Sequence, residues 1–144
     1  MPTIHLPSDD HIARHIKPRL VKKDEVTKKA IGVFPEAFAL REGERDLSVN
    51  WLEFFPGDET EQLRQVIRHT ELKLNARHGF GILQVGQFSN VCAIHGAKVR
   101  IIHERTDGNP AHASVHRYPR DNDHLSAVLA NIAGRHLVLV GDVP

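Results

Sequence analysis

Four residue types are nearly missing from this chain: it has one cysteine, one methionine, one tryptophan and one tyrosine in 144 residues. The lone Cys92 excludes an intrachain disulfide and suits a reducing compartment. It lies in an apolar segment and reads as a small core residue rather than a reactive thiol. No hydrophobic run approaches the ~20 residues of a membrane span. The first residues carry no basic-then-apolar leader. Together these absences give the expectation of a cytoplasmic protein with no membrane partner. Net charge is only +1 with histidines neutral, so no global field draws the chain to nucleic acid or lipid. A glycine-rich phosphate loop is missing, because Gly79-Phe80-Gly81 lacks the third glycine and the following helix of the dinucleotide fingerprint. There is no Gly-x-Ser-x-Gly turn, internal repeat, low-complexity segment or linker.

What is there suits one domain with a real core. Residues 1–9 read as a loose lead-in and 10–144 as the domain. In residues 10–21, Ile12 and Ile16 share a face in either a helix or a strand, and Pro18 stops both. Lys17, Arg19, Lys22, Lys23, Lys28 and Lys29 surround only Asp24 and Glu25. Without interleaved aromatics to stack bases, that run reads as a solvated face and argues against a nucleic-acid partner. Phe34 and Phe38 are expected to enter the core from an irregular stretch over 31–40. Residues 47–51 alternate as a short strand, although Ser48 could also cap a one-turn helix.

The spacing predicts a helix over 58–76, capped by Asp58 with Glu61 completing a capping box. Leu63, Val66, Ile67, Thr70 and Leu74 form its apolar stripe. Strands follow over 80–86 and 98–104, with an ambiguous stretch at 87–95 between them. After a turn at 106–110, the next strand closes an antiparallel hairpin. Asp121 or Asp123 caps a last helix bearing Leu125, Val128, Leu129 and Ile132, and 136–140 adds a final strand. The fold class is therefore α+β: a single domain with two main amphipathic helices packed on a small mixed or antiparallel sheet.

The most site-like surface is Asn109-Pro110-Ala111-His112-Ala113-Ser114-Val115-His116. Pro110 pushes Asn109 toward an extended conformation, and alternation then puts Ala111, Ala113 and Val115 on one face and His112, Ser114 and His116 on the other. Arg14, set in an apolar segment, must find carboxylate, phosphate or carbonyl partners. Ser48 and Asn50 could converge with it. The eleven histidines invite a metal reading, since His11/His15 and His112/His116 are four apart. On a strand that spacing spans roughly 13 Å, too far for one ion. The first pair also lacks the glutamate of a zinc-peptidase helix. No metal and no cofactor are expected.

Arg14-x-Ile16-x-Pro18, Ala37-Phe38, Leu47-Ser48-Val49 and Asn109-Pro110-Ala111-His112-Ala113 together resemble a group of small uncharacterised bacterial proteins, over about two-thirds of the chain. The resemblance implies a bacterial cytoplasmic protein and brings no activity, cofactor or catalytic assignment. Two function classes stay open. The favoured one is a binding or accessory module that recognises an unknown protein partner or a small ligand through the His112 face and the Arg14 region. The alternative is a small enzyme acting on a phosphate-containing, nucleotide-like substrate with Arg14, Ser48 and His112 at the site. The candidate ligand-binding residues are Arg14, Ser48, Asn50, His112, Ser114 and His116, and no catalytic residue is assigned.

Overall fold

Period-two alternation sets the frame. Ile12 and Ile16, Leu47 and Val49, and Ala113 and Val115 all point to one side of a sheet and join a single buried cluster. The computed structural model describes residues 2–144. Its strands are β1 (His11–Ile16), β2 (Val21–Lys23), β3 (Ala30–Val33), β4 (Leu47–Trp51), β5 (Gly79–Gln84), β6 (Arg100–His103), β7 (His112–His116) and β8 (Leu137–Leu139). Its helices are α1 (Glu59–His69), α2 (Val85–Ile94) and α3 (Asp123–Gly134). Six strands form one sheet in the order β6-β7-β4-β1-β5-β8, and β2 and β3 form a separate hairpin. Every strand pairing is antiparallel. The class is α+β, with three helices rather than two. Among the described residues no helix is long and apolar enough to cross a membrane.

The two faces of the sheet are covered unequally. Phe88 and Cys92 of α2 and Leu125, Leu129 and Ala133 of α3 seal one face. Contact there is close: a Cβ added at Gly81 would lie 2.8 Å from the Ala133 Cβ. Burial pushes the Cys92 thiol up to about 12, so it is un-ionised and inert at neutral pH. On the other face, α1 lays Leu63 and Val66 over Ala13, Phe80 and Ile82.

α1 begins where the capping box predicts, with Glu61 N–H donating to Asp58 Oδ1 at 2.9 Å. It stops at His69, well short of 76. Thr70 turns extended, and its hydroxyl accepts from Leu72 N–H at 3.3 Å, a local bond that competes with helix continuation. Leu74 still packs against the α1 cluster, from beyond the helix. α2 has no side-chain cap. Its first N–H groups instead donate to carbonyls of the N-terminal segment, Val85 to Asp10 at 2.8 Å and Gly86 to Ser8 at 2.9 Å. The cap of α3 is Asn122, whose Oδ1 accepts from Leu125 N–H at 3.0 Å, and neither Asp121 nor Asp123.

Three further expectations are corrected. The N-terminal stretch is held rather than loose, with Leu6 N–H donating to Ile101 O at 3.0 Å and His103 N–H to Ile4 O at 2.9 Å along β6. Phe38 is buried as expected, but Phe34 is 40% exposed because Pro35 opens a helical turn just after it. Lys22 Nζ covers its ring at 5.4 Å. Ala111 precedes β7 and joins the α1 cluster instead of the core under Ala113 and Val115.

The end of the helical turn that Pro35 opens, residues 37–39, can pack inward because side chains satisfy its carbonyls. Arg14 donates to Ala37 O and Ala39 O, and Tyr118 and Ser126 both donate to Phe38 O.

Candidate functional site

A divergence of two strands creates the site. β1 pairs with β5 along its whole length, but with β4 only at Ile12↔Trp51 and Ala13↔Asn50. Beyond that point β4 stays with β7 and the two strands part. The Arg14 guanidinium fills the gap and replaces the missing ladder: Nη1 donates to Ser48 O at 2.8 Å and Nε to Ala37 O at 3.0 Å. Nη1 and Nη2 also reach Glu44 Oε2 and Oε1 at 3.1 and 3.5 Å, and Nη2 reaches Ala39 O at 3.4 Å. Arginine has five N–H donors, and all five are engaged. Arg14 is 1% exposed, and its role here is architectural.

Glu44 closes this knot. Besides Arg14 it accepts Arg41 N–H at 2.8 Å and Ser48 N–H at 3.0 Å. Burial alone would raise its carboxyl pKa. The adjacent guanidinium and the hydrogen bonds outweigh burial and hold it below the ordinary value.

Above this knot lies a half-open cavity of about 250 Å³. Ser48 and Asn50 of β4 and His112 of β7 line its floor, Arg14, His15, Arg41 and Glu44 one wall, and Thr70–Leu72 and the 106–109 turn its rim. α1 ends just before the cavity, so the sheet face there stays uncovered. The turn is held by reciprocal Thr106–Asn109 backbone bonds of 3.1 Å, with Gly108 at φ +85° where other residues would be strained.

Asn109 orders the floor. Its Oδ1 accepts Ala111 N–H at 3.3 Å, which directs its Nδ2 to Asn50 Oδ1 at 2.9 Å. Asn50 is thereby oriented, and its own Nδ2 has no protein partner among the described residues. His112 is oriented likewise. Nδ1–H donates to Glu104 O at 2.7 Å, so Nε2 carries the lone pair in the neutral ring and stays uncommitted.

His15 is a buried member of that wall. It is 7% exposed, its Nε2 lies 2.7 Å from His78 Nδ1, and its own Nδ1 has no partner among the described residues. Burial, then the charge of Arg41, with His78, Arg14 and Lys17 adding to it, lowers its pKa to about 3. The imidazole is therefore neutral in any ordinary buffer.

Of the sequence candidates, Arg14, Ser48, Asn50 and His112 line the cavity, whereas Ser114 and His116 do not. Ser114 is directly opposite Ser48 on β7. His116 Nε2 lies 2.6 Å from Glu104 Oε1 and its Nδ1 3.7 Å from Asp46 Oδ2. These three side chains bring possible ligand atoms within 4.8 Å of one another. Hydrogen bonding of the His116 ring between two carboxylates satisfies that geometry without an ion. The His11/His15 pair is extended on β1, with His11 turned to Glu53 at 2.7 Å and His15 to His78.

Sequence reasoning missed Arg41. It stands in the charged stretch Arg41-Glu42-Gly43-Glu44-Arg45-Asp46, where nothing local marks it. Its Nη2 donates to His15 O at 3.0 Å, and its remaining side-chain N–H groups have no partner among the described residues. Burial, then the charge of Arg14, pulls its pKa down to about 10, which leaves it cationic at neutral pH. No family model, curated protein or solved structure matches this chain significantly.

Proposed function

We propose that the protein is a binding module that takes a small polar ligand into the cavity between β4, β7 and the end of α1. The observation that carries this reading is the convergence of oriented but uncommitted polar groups on one concavity: Asn50 Nδ2, the Ser48 hydroxyl, His112 Nε2 and Arg41. A few placed polar groups in a pre-formed concavity are what a small-molecule site requires. The volume, about 250 Å³, lies just under the ~300–1,000 Å³ of drug-sized pockets, so the ligand is small. A single buried, un-ionised cysteine fits work in the reducing cytoplasm.

A small enzyme acting on a phosphate-containing substrate is the second reading. The free Nε2 of His112 favours it, because that nitrogen could serve as a general base. Two features count against it. Arg14 has no donor left for a phosphate, and the Ser48 hydroxyl is not bonded to any imidazole that could activate it.

A thermal-shift screen against small metabolites tests the binding reading, because a native-state ligand at a hundred times its Kd adds about 2.7 kcal/mol. Stabilising compounds should lose most of their effect on Asn50→Ala and His112→Ala. Equal shifts for wild type and both variants would place binding elsewhere.

A further inference from the structure

The charge arrangement of the cavity goes beyond its shape. Two guanidiniums, Arg14 and Arg41, share one wall, and Glu44 is the only carboxylate on it. Both Glu44 oxygens are already taken by Arg14 Nη1 and Nη2 and by the Arg41 and Ser48 N–H groups. Glu71, the other acid at the cavity, stands exposed on the rim. Arg41 is thus a partly buried cation with one side-chain hydrogen bond, to a neutral carbonyl. Charges removed from water are normally paired, since an unpaired one is costly.

We infer that the ligand carries an oxyanion, carboxylate or phosphate, and that Arg41 seats it. This inference rests on the cavity being the binding site and adds the chemical class of what enters. A planar guanidinium with several free N–H groups matches either oxyanion in a two-point contact. Ser48 Oγ and Asn50 Nδ2 supply neutral donors from the floor. His112 Nε2, uncommitted within the protein, adds a further hydrogen-bonding atom. Arg41 also borders a second cavity, of about 370 Å³, with Lys17, Arg19, Glu36 and Glu42. The two locations are separable, because Asn50 belongs only to the first and Arg19 only to the second.

The experiment is a titration of the full-length protein with inorganic phosphate, with acetate and lactate, and with neutral acetamide, followed by NMR of the arginine side-chain and backbone N–H groups. Phosphate or a carboxylate should shift the Arg41 Nε–H signal together with residues 48–50 and 112. Arg41→Gln should weaken that binding about ten- to a hundred-fold. Arg41→Lys should recover part of it, and Arg19→Gln should leave it unchanged. If Arg41→Gln is poorly folded, the wild-type Nε–H shifts and the Arg19→Gln result still decide.

Which of the two oxyanions binds more tightly identifies the ligand class. Three outcomes overturn the inference: acetamide binding in the cavity as well as the anions do, anion binding lost in Arg19→Gln but kept in Asn50→Ala, or no anion effect at Arg41. The first leaves the binding reading standing and removes only the oxyanion. If no probe perturbs residues 48–50 and 112, both fail together.

Discussion

One face of the sheet is sealed and the other is not, because two helices cover the first and α1 alone covers the second. α2 and α3 bury Phe88, Cys92, Leu125 and Leu129 completely against the strands. α1 has 11 residues, about 16 Å of helix, and leaves β4 and β7 uncovered beyond its last turn. Polar residues occupy the uncovered part: Ser48, Asn50 and His112. A face sealed by apolar packing contributes stability, whereas the open one carries groups that have no folded partner. The arginines repeat that contrast at close range. Arg14 has every donor engaged, and Arg41 has one.

Removing the knot between the two faces should have the largest effect. Arg14→Ala strips the counter-charge from Glu44 and frees three carbonyls, so it should cost about 3–5 kcal/mol in urea unfolding, the range for breaking a buried pair. Phe88→Ala on the sealed face should cost about 3–5 kcal/mol as well. Gly81→Ala, which forces a methyl against Ala133, should cost about 1–3 kcal/mol. Leu72→Ala, at the rim and 48% exposed, should change stability by less than about 0.5 kcal/mol. If Leu72→Ala matched Phe88→Ala, the two faces would not differ as described.

Acid should separate the regions further. The folded protein holds His15 at about 3 against an ordinary 6.5, so between those values the unfolded chain binds a proton that the native state rejects. Stability should therefore fall as pH drops from about 6.5 towards 3, by at most ~1.4 kcal/mol per unit from this residue. Glu44 acts lower. Its folded carboxyl is held below 4.5, so its contribution is present above the unfolded value and is lost as pH falls through the folded one. Urea unfolding at pH 7, 6 and 5 should show a shallower loss for His15→Gln than for wild type. An unchanged slope would remove His15 from the explanation.

Local signals carried much of the fold. Pro110 and the Ala/His alternation placed β7 and its two faces, and Asp58 with Glu61 placed the start of α1. The end of α1 was not legible, because periodicity continues through Thr70 and Leu74 while the Thr70 hydroxyl diverts the backbone. Nor was the start of α2, whose N–H groups are satisfied by carbonyls of residues 8 and 10, far away in sequence. The site was legible only in part. Alternation put Asn50 and Ser48 on one face, but Arg14 meets Glu44 across 30 residues and no periodicity encodes that contact. That pairing determines which arginine is left free, so Arg41 could not be singled out from a turn of mixed charge.

The most direct measurement is a fragment soak of crystals of the wild-type protein, read as electron density. Small polar fragments should collect between Ser48, Asn50, His112 and Arg41, with an oxyanion group toward Arg41. Fragments scattered over the surface, or gathered at the Lys22–Arg135 depression beside α3 with the cavity empty, would contradict a ligand site on the open face.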